Sequence, residues 1–313
     1  MKFRVATANI AGGAREEGAD LCKYKILGEL LSGVDIIGLQ EVVRVYEPGS
    51  CHIIRDDIKE LQDNSGLSHY QRFFFPYLDS TQYSHPGKWT SRIFNSYYEK
   101  GCRILEGTAI LVKQQHSVYD LWCDNRPGHA VVQILPWYLD APTIYLGNRD
   151  TQPRTLLLAR VRLANRFVLF CCTHLATLKE EGDRQHGKGK GPVTQKAVAL
   201  RAKQIKWIVQ YIDSYQRARE ADGKTREPVI IVGDFNAEPE ASELQGLTQL
   251  NLELVTPNVG YTHRKHKILI DLIYATKCAI KGTACIVDLT KLEVLSDRRV
   301  SDHNPVIADL DLC

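Results

Sequence analysis

No apolar run in these 313 residues approaches the roughly 18 that a membrane-crossing helix needs. The first ten residues, MKFRVATANI, are too polar for a secretory signal. Net charge is scarce as well: 40 Lys and Arg against 37 Asp and Glu leave a formal +3. That excludes a polybasic tail but leaves room for a local basic groove. None of the nine cysteines falls in a C-x-x-C spacing, and their odd number leaves at least one thiol outside any internal pairing. Cys171 and Cys172 lie side by side in an apolar run, where small buried thiols are common. This usage points to reduced cysteines and an intracellular, cytoplasmic protein. There is no internal repeat, no G-x-S-x-G nucleophile elbow, no organic-cofactor motif and no mark of an oligomeric state. GDRQHGKG, residues 182–189, approaches a phosphate-binding loop but has Gly189 where Ser or Thr should hold Mg²⁺, and no strand leads into it. HRKH, residues 263–266, offers two histidines without a third ligand, so zinc is not expected there.

What remains is an ordinary globular composition, 44% hydrophobic and 25% charged, with length enough to bury a large core. Two domains would fit the length, but no linker interrupts the pattern, and one domain over residues 1–313 is expected. The strand signals are short and rich in β-branched and aromatic residues: Phe3–Asn9, Val34–Gln40, Tyr70–Phe75, Thr108–Val112, Leu156–Leu163, Phe167–Thr173, Val229–Gly233, Leu269–Tyr274 and Pro305–Leu310. IIGL and VIIVG are apolar without interruption, as strands covered on both faces are. LLLARVRL alternates, placing Leu157, Ala159, Val161 and Leu163 on one face, which suits a sandwich. Helical periodicity is strongest over residues 195–216, with Val198, Ile205, Ile208, Val209 and Ile212 in one stripe. Shorter helices are expected over 22–32 and 53–63. Helix, buried strand and acid succeed one another in 22–41 and again in 195–234, a hint of two similar halves. Residues 76–105, 124–153 and 178–194 read as surface insertions.

Polar groups with chemical potential stand at the ends of the apolar strands. VIIVGDFN releases Asp234 and Asn236 at a strand edge, two residues apart and on the same side if the strand continues. VDIIGLQEV ends in Glu41, a natural Mg²⁺ ligand, since that ion takes one or two carboxylates plus water and phosphate. LFCCTHL ends in His174. IDLIYA carries Asp271 inside an apolar strand, where an unpaired charge is expensive and a histidine is an obvious partner. VSDHNPV sets Asp302 beside His303 just before the last strand. Singly, each of these also reads as a turn or a solvated strand end.

Together, TANI, LQEV, GTAIL, THL, GDFN, IDLIY and SDHNPV, in this order from residue 7 to 306, resemble the endonuclease/exonuclease/phosphatase superfamily with its DNase I-like fold, in the histidine-containing branch. The resemblance implies a four-layer α/β sandwich: two packed mixed sheets flanked by helices, with strand ends converging at one end. It also implies a metal-dependent hydrolase of phosphodiesters. Matched position by position, Glu41 corresponds to the principal Mg²⁺ ligand, with Mn²⁺ able to substitute. Asn9 corresponds to the residue that orients carboxylate and phosphate near the metal and is itself a candidate metal and substrate ligand, and Asp302 to one at or near the metal. Asp234 and Asn236 match the pair that positions the attacking water and a phosphate oxygen. His303 matches the histidine on the scissile phosphate and Asp271 the carboxylate that orients it. His174 matches the second family histidine, Glu106 of EGTAILV the carboxylate paired with it, and Arg154 a phosphate-contacting arginine.

Substrate is less legible. The chain has THL where the abasic-site endonucleases carry a Tyr, and KHKILIDLIYA where the inositol polyphosphate 5-phosphatases carry Pro-x-Trp-Cys-Asp-Arg. DNase I-like, deadenylase-like, tyrosyl-DNA phosphodiesterase-like and sphingomyelinase-like enzymes remain. Residues 174–206 hold eight Lys and Arg against three Asp and Glu, and residues 85–103 interleave four basic residues with Trp89, Phe94, Tyr97 and Tyr98. Basic groups among aromatics suit a nucleic acid substrate, DNA or RNA. Membrane lipid is the less favoured partner, because residues 76–98 carry charges where a lipid-facing loop would be apolar.

Overall fold

The computed structural model of the chain describes residues 1–11, 20–81, 92–119, 121, 137–138, 154–178, 181, 192–255, 260–264, 266–277, 280–286 and 301–312. In chain order its elements are β1 (Lys2–Asn9), α1 (Asp20–Leu31), β2 (Ile36–Tyr46), β3 (Ile53–Asp56), α2 (Asp57–Asp63), β4 (Tyr70–Asp79), α3 (Arg92–Glu99), β5 (Arg103–Lys113), β6 (Ser117–Tyr119), β7 (Trp137–Tyr138), β8 (Thr155–Leu163), β9 (Arg166–His174), α4 (Pro192–Ala221), β10 (Val229–Asp234), a 3₁₀ helix (Ser242–Leu250), β11 (Leu252–Leu254), β12 (Asp271–Thr276), β13 (Ile280–Ile286) and β14 (Val306–Leu312). One sheet runs β13-β14-β1-β2-β5-β4 with β3 on β2, and the other β11-β12-β10-β9-β8-β6 with β7 on β8.

Burial explains both strand patterns. Val5, Ile36, Ile110 and Val306 of the first sheet pack against Leu157, Ala159, Val161, Leu163, Cys172 and Val232 of the second, so the alternating face of β8 meets the opposite sheet. The outer faces are buried too. Leu169, Cys171 and Ile231 lie under Ile205, Ile208 and Ile212 of α4, while Ala6, Ile37 and Leu39 lie under Leu27 and Leu31 of α1 and Ile58 of α2. The uninterrupted apolar strands are therefore those sandwiched between a sheet and a helix. Cys171 and Cys172 point to opposite faces, one to each core. Gly38 lets the sheets approach, since a Cβ there would stand 2.4 Å from Val232 Cγ2.

The echo between 22–41 and 195–234 is structural. β1 and β2 pair in parallel across α1, and β9 and β10 pair in parallel across α4, so each sheet contains one strand–helix–strand unit.

The helix expected over 53–63 begins only at Asp57. Ile53 and Ile54 are β-branched and join β2 as an edge strand. Asp56 then caps the helix, accepting from the amides of Ile58 and Lys59. Much of the three expected insertions lies outside the described residues, including Lys88 and Trp89, all of 139–153, and the Gly- and Lys-rich 182–191.

Just before β2, an interior strand of the first sheet, the Asp35 carboxylate accepts from Arg4 N at 2.8 Å and Gln115 Nε2 at 3.2 Å, and lies 3.0 Å from His116 Nε2. Burial would raise its pKa, but the bonds from His116 and Arg4 outweigh it and hold the carboxyl below its usual range. A depressed carboxyl stabilises the fold above its unfolded value and loses that contribution as pH falls through the folded one. Asp35→Asn is therefore expected to lower Tm at pH 7 by roughly 2 °C, because the group is partly exposed and screened. In a calorimetric series the difference from wild type should shrink as pH falls below about 4, where the unperturbed carboxyl protonates, and close once pH is below the lowered folded value.

Candidate active site

The parallel registers set the site. Asn9, the last residue of β1, pairs with Gln40 where the parallel β1–β2 ladder stops although β2 runs on to Tyr46, and Asp234 pairs with His174 at the ends of β10 and β9. Antiparallel β12 places Asp271 opposite Asp234. Gly233 lets β10 approach β9, since a Cβ there would lie 2.0 Å from Thr173 O. Beneath, Thr7 Oγ1 donates to Gln40 Oε1, and Gln40 Nε2 reaches Cys172 Sγ of the second sheet at 3.2 Å. The segment before β14 closes the group. Ser301 Oγ donates to Asn9 O at 2.7 Å and accepts from His303 N at 3.1 Å.

Two site residues have left-handed backbones, Glu41 at φ 54° and Asn236 at φ 49°. Glu41 lies where the β2–β5 register slips between Leu39 and Val42, so it leaves the ladder. Such conformations cost on the order of 1–3 kcal/mol and persist where the surroundings enforce them.

Asp234 is the centre. Its Oδ2 accepts from Asn9 Nδ2 at 3.0 Å and lies 3.5 Å from His174 Nε2 and 3.9 Å from His303 Nε2. Its Oδ1 accepts from Asn236 N at 2.9 Å. Burial and the nearby Asp271 raise its pKa well above the carboxylate range, and His303, Asn236 and Asn9 only partly offset them. His303 Nδ1 stands 2.7 Å from Asp271 Oδ2. Burial opposes its charge, but Asp271 and Asp234 outweigh burial and hold the imidazole protonated well above its usual range. Thr262 Oγ1 anchors the start of β12, accepting from the amides of Ile270 and Asp271.

Several expected roles change in the structure. Asn9 turns its nitrogen, not its oxygen, towards the acids. It donates to Glu41 Oε1 at 3.1 Å as well as to Asp234, while its Oδ1 accepts from Ala11 N. An amide in that pose orients carboxylates and does not ligate a cation beside them. Asn236 Nδ2 donates to Leu175 O, tying β10 to the end of β9. Arg154, expected at phosphate, is 1% exposed and stands behind His174, its Nη1 directed at His174 Nδ1 at 3.0 Å. Glu106, expected to pair with His174, accepts instead from Tyr77 Oη at 2.7 Å. The cause is a bulge: β4 slips register between Pro76 and Leu78, and the Tyr77 ring comes edge-on to His174 at 6.4 Å. Pro within FFFPYL was the available signal for that bulge.

Sequence reasoning also passed over His263. It bridges His303 along the backbone, meets it edge-on at 4.8 Å, and lies 4.0 Å from Asp302. His263, Asp302 and His303 offer three ligand atoms within 4.8 Å of one another, a set that includes only one of the two HRKH histidines. Yet His263 Nδ1 accepts from His266 N, so its neutral ring carries the proton on Nε2, the nitrogen that faces Asp302. Burial and the charge of His303 push its pKa down. His263 is a donor here, not a ligand. The hard oxygens of Glu41, oriented by Asn9, and of Asp302, whose side chain is 47% exposed, are the groups that suit a hard divalent cation.

A sequence profile of the endonuclease/exonuclease/phosphatase family matches residues 6–303. This chain belongs to that family. Its members hydrolyse phosphoester bonds and typically use a divalent metal, and the protein is a hydrolase of that class. No curated protein sequence matches the chain. Solved structures of the same fold include truncated TDP2 from Caenorhabditis elegans, 17% identical over 99% of this chain and 98% of that one, with a TM-score of 0.56. The human nocturnin catalytic domain with bound sulfate is 19% identical over 100% and 94%, with a TM-score of 0.58. A mannosyl-6-phosphatase from Bacteroides thetaiotaomicron is 15% identical over 99% and 100%, with a TM-score of 0.59. These likenesses establish the DNase I-like, four-layer fold of the family.

Proposed function

We propose that the protein is a Mg²⁺-dependent phosphodiesterase whose substrate is a nucleic acid strand. The observation that carries the hydrolytic reading is Asp234: one buried carboxylate oxygen surrounded by Asn9, His174 and His303 at converging strand ends. Glu41 and Asp302 would hold the cation, which supplies positive charge to the phosphate. Asp234, its pKa raised, takes a proton from the attacking water near neutral pH. As the water oxygen bonds to phosphorus, the bond to the leaving oxygen breaks. His303, kept protonated by Asp271, gives that oxygen a proton. His174 and His263 offer N–H donors to the developing charge on the nonbridging oxygens.

The substrate class rests on surface chemistry. The outer face of α4 exposes Lys196, Lys203, Lys206 and Trp207, the pairing of cation and ring that holds phosphate and base. A phosphatase acting on a sugar phosphate is the second reading, favoured by the mannosyl-6-phosphatase likeness, since one fold serves many substrates. A panel of single- and double-stranded DNA, RNA, sugar phosphates and sphingomyelin, each with Mg²⁺, Mn²⁺ or EDTA, decides among them. Metal-dependent cleavage of DNA or RNA is expected. Release of phosphate from sugar phosphates alone would replace that reading, and lipid cleavage alone would make this a membrane-acting enzyme.

A further inference from the structure

His174 and His303 face the same oxygen of Asp234, at 3.5 and 3.9 Å, but their other nitrogens meet opposite charges. His303 Nδ1 meets the Asp271 carboxylate at 2.7 Å. His174 Nδ1 meets a guanidinium at 3.0 Å. An arginine side chain has donors and no acceptor and does not lose its proton. The nitrogen facing it must therefore present a lone pair. The geometry points to Arg154 as a positioning residue that holds His174 as a neutral imidazole with its proton on Nε2.

The groups around His174 agree. Arg154, at the start of β8, stacks over the Tyr77 ring of β4 with 5.6 Å from Cζ to the ring centre, which holds the guanidinium in place. Tyr77, fully buried, donates to Glu106 of β5. Asp234 of β10 is the acid facing Nε2. At equal dielectric, attraction to it at 3.5 Å is weaker than repulsion from Arg154 at 3.0 Å. His303 also shares the charge of Asp234. A second proton on His174 would set two donors face to face in a buried site, beside a cation. A neutral His174 gives a hydrogen bond throughout turnover and gives up no proton. The transfer to the leaving oxygen then falls to a group other than His174. That part rests on the hydrolytic reading above, whereas the state of His174 does not.

The test is ¹⁵N-histidine NMR on the full chain between pH 5.5 and 8.5, without metal and with Mg²⁺. His174→Gln identifies the His174 signals by their loss. The expected wild-type spectrum shows protonated Nε2 and bare Nδ1, with no titration step in that range. In Arg154→Met a titration step should appear near the ordinary histidine value of about 6.5, and Arg154→Lys should restore the wild-type pattern. Two protonated nitrogens at pH 7, or a proton on Nδ1, in the wild-type spectrum would overturn the inference. If Arg154→Met does not fold, the wild-type spectrum decides alone. Failure of every phosphoester substrate would sink the hydrolytic reading and leave this spectrum as it stands.

Discussion

Asp234→Asn is expected to lower kcat by about 10³-fold with little change in KM, since general-base and electrostatic contributions are each worth roughly 10²–10⁴. The amide keeps the shape but has one oxygen where the carboxylate uses two, so it can accept from Asn9 or from Asn236 but not from both, and it cannot take a proton from water. The same change should stabilise the metal-free protein. Burial and Asp271 raise the Asp234 carboxyl, and a raised carboxyl takes stability from the fold as pH climbs through its folded value. The variant's metal-free Tm at pH 8 should therefore exceed that of wild type, with the gain fading towards pH 5. Function and stability would then part at one residue, as they do where a strained site is kept for its chemistry. A variant both inactive and unfolded at 25 °C would instead make Asp234 a structural residue.

Asp271→Asn should cost about 10²–10³ in kcat through a different route. Asp271 Oδ2 is what sustains the charge on His303, at 2.7 Å and in a buried setting. An amide can accept from Nδ1, but it brings no negative charge to offset burial, so the imidazolium pKa falls back towards neutrality. Activity should then decline on the alkaline side at a lower pH than in wild type. A pH–rate profile separates this from misplacement: loss of His303 charge moves the alkaline limb, whereas a displaced ring lowers the plateau and leaves the limb in place. Asn304 N, which donates to Thr262 O, keeps the loop anchored in the variant.

The ends of apolar strands made most of this centre legible. Asn9, His174 and Asp234 each close a strand whose neighbours are buried on both faces, so a polar residue there has a reason other than solvation; Glu41, read as a strand end, lies at a bulge inside β2, and Asp271, read as mid-strand, opens β12. Parallel pairing across α1 and α4 brings these ends together, and the helix–strand–acid echo anticipated it. Lateral partners were not legible. Whether Arg154 points at phosphate or at His174 depends on its burial, which only the packed sheets decide. Glu106 meets Tyr77 because one residue bulges out of β4, and His263 enters through a backbone bridge to His303. Ile53–Asp56 misled for a similar reason: helical and strand readings of IIRD are both local, and pairing with β2 selects one.

The most direct measurement is hydrolysis of the best substrate from the panel, titrated with Mg²⁺ after EDTA treatment, by wild type, Asp234→Asn and Glu41→Gln. The convergent site predicts no turnover in EDTA and full recovery with Mg²⁺ in wild type. It predicts a shifted metal requirement in Glu41→Gln and a loss in Asp234→Asn that added metal does not restore. Turnover that persists in EDTA, or an Asp234→Asn rate within three-fold of wild type, would contradict it.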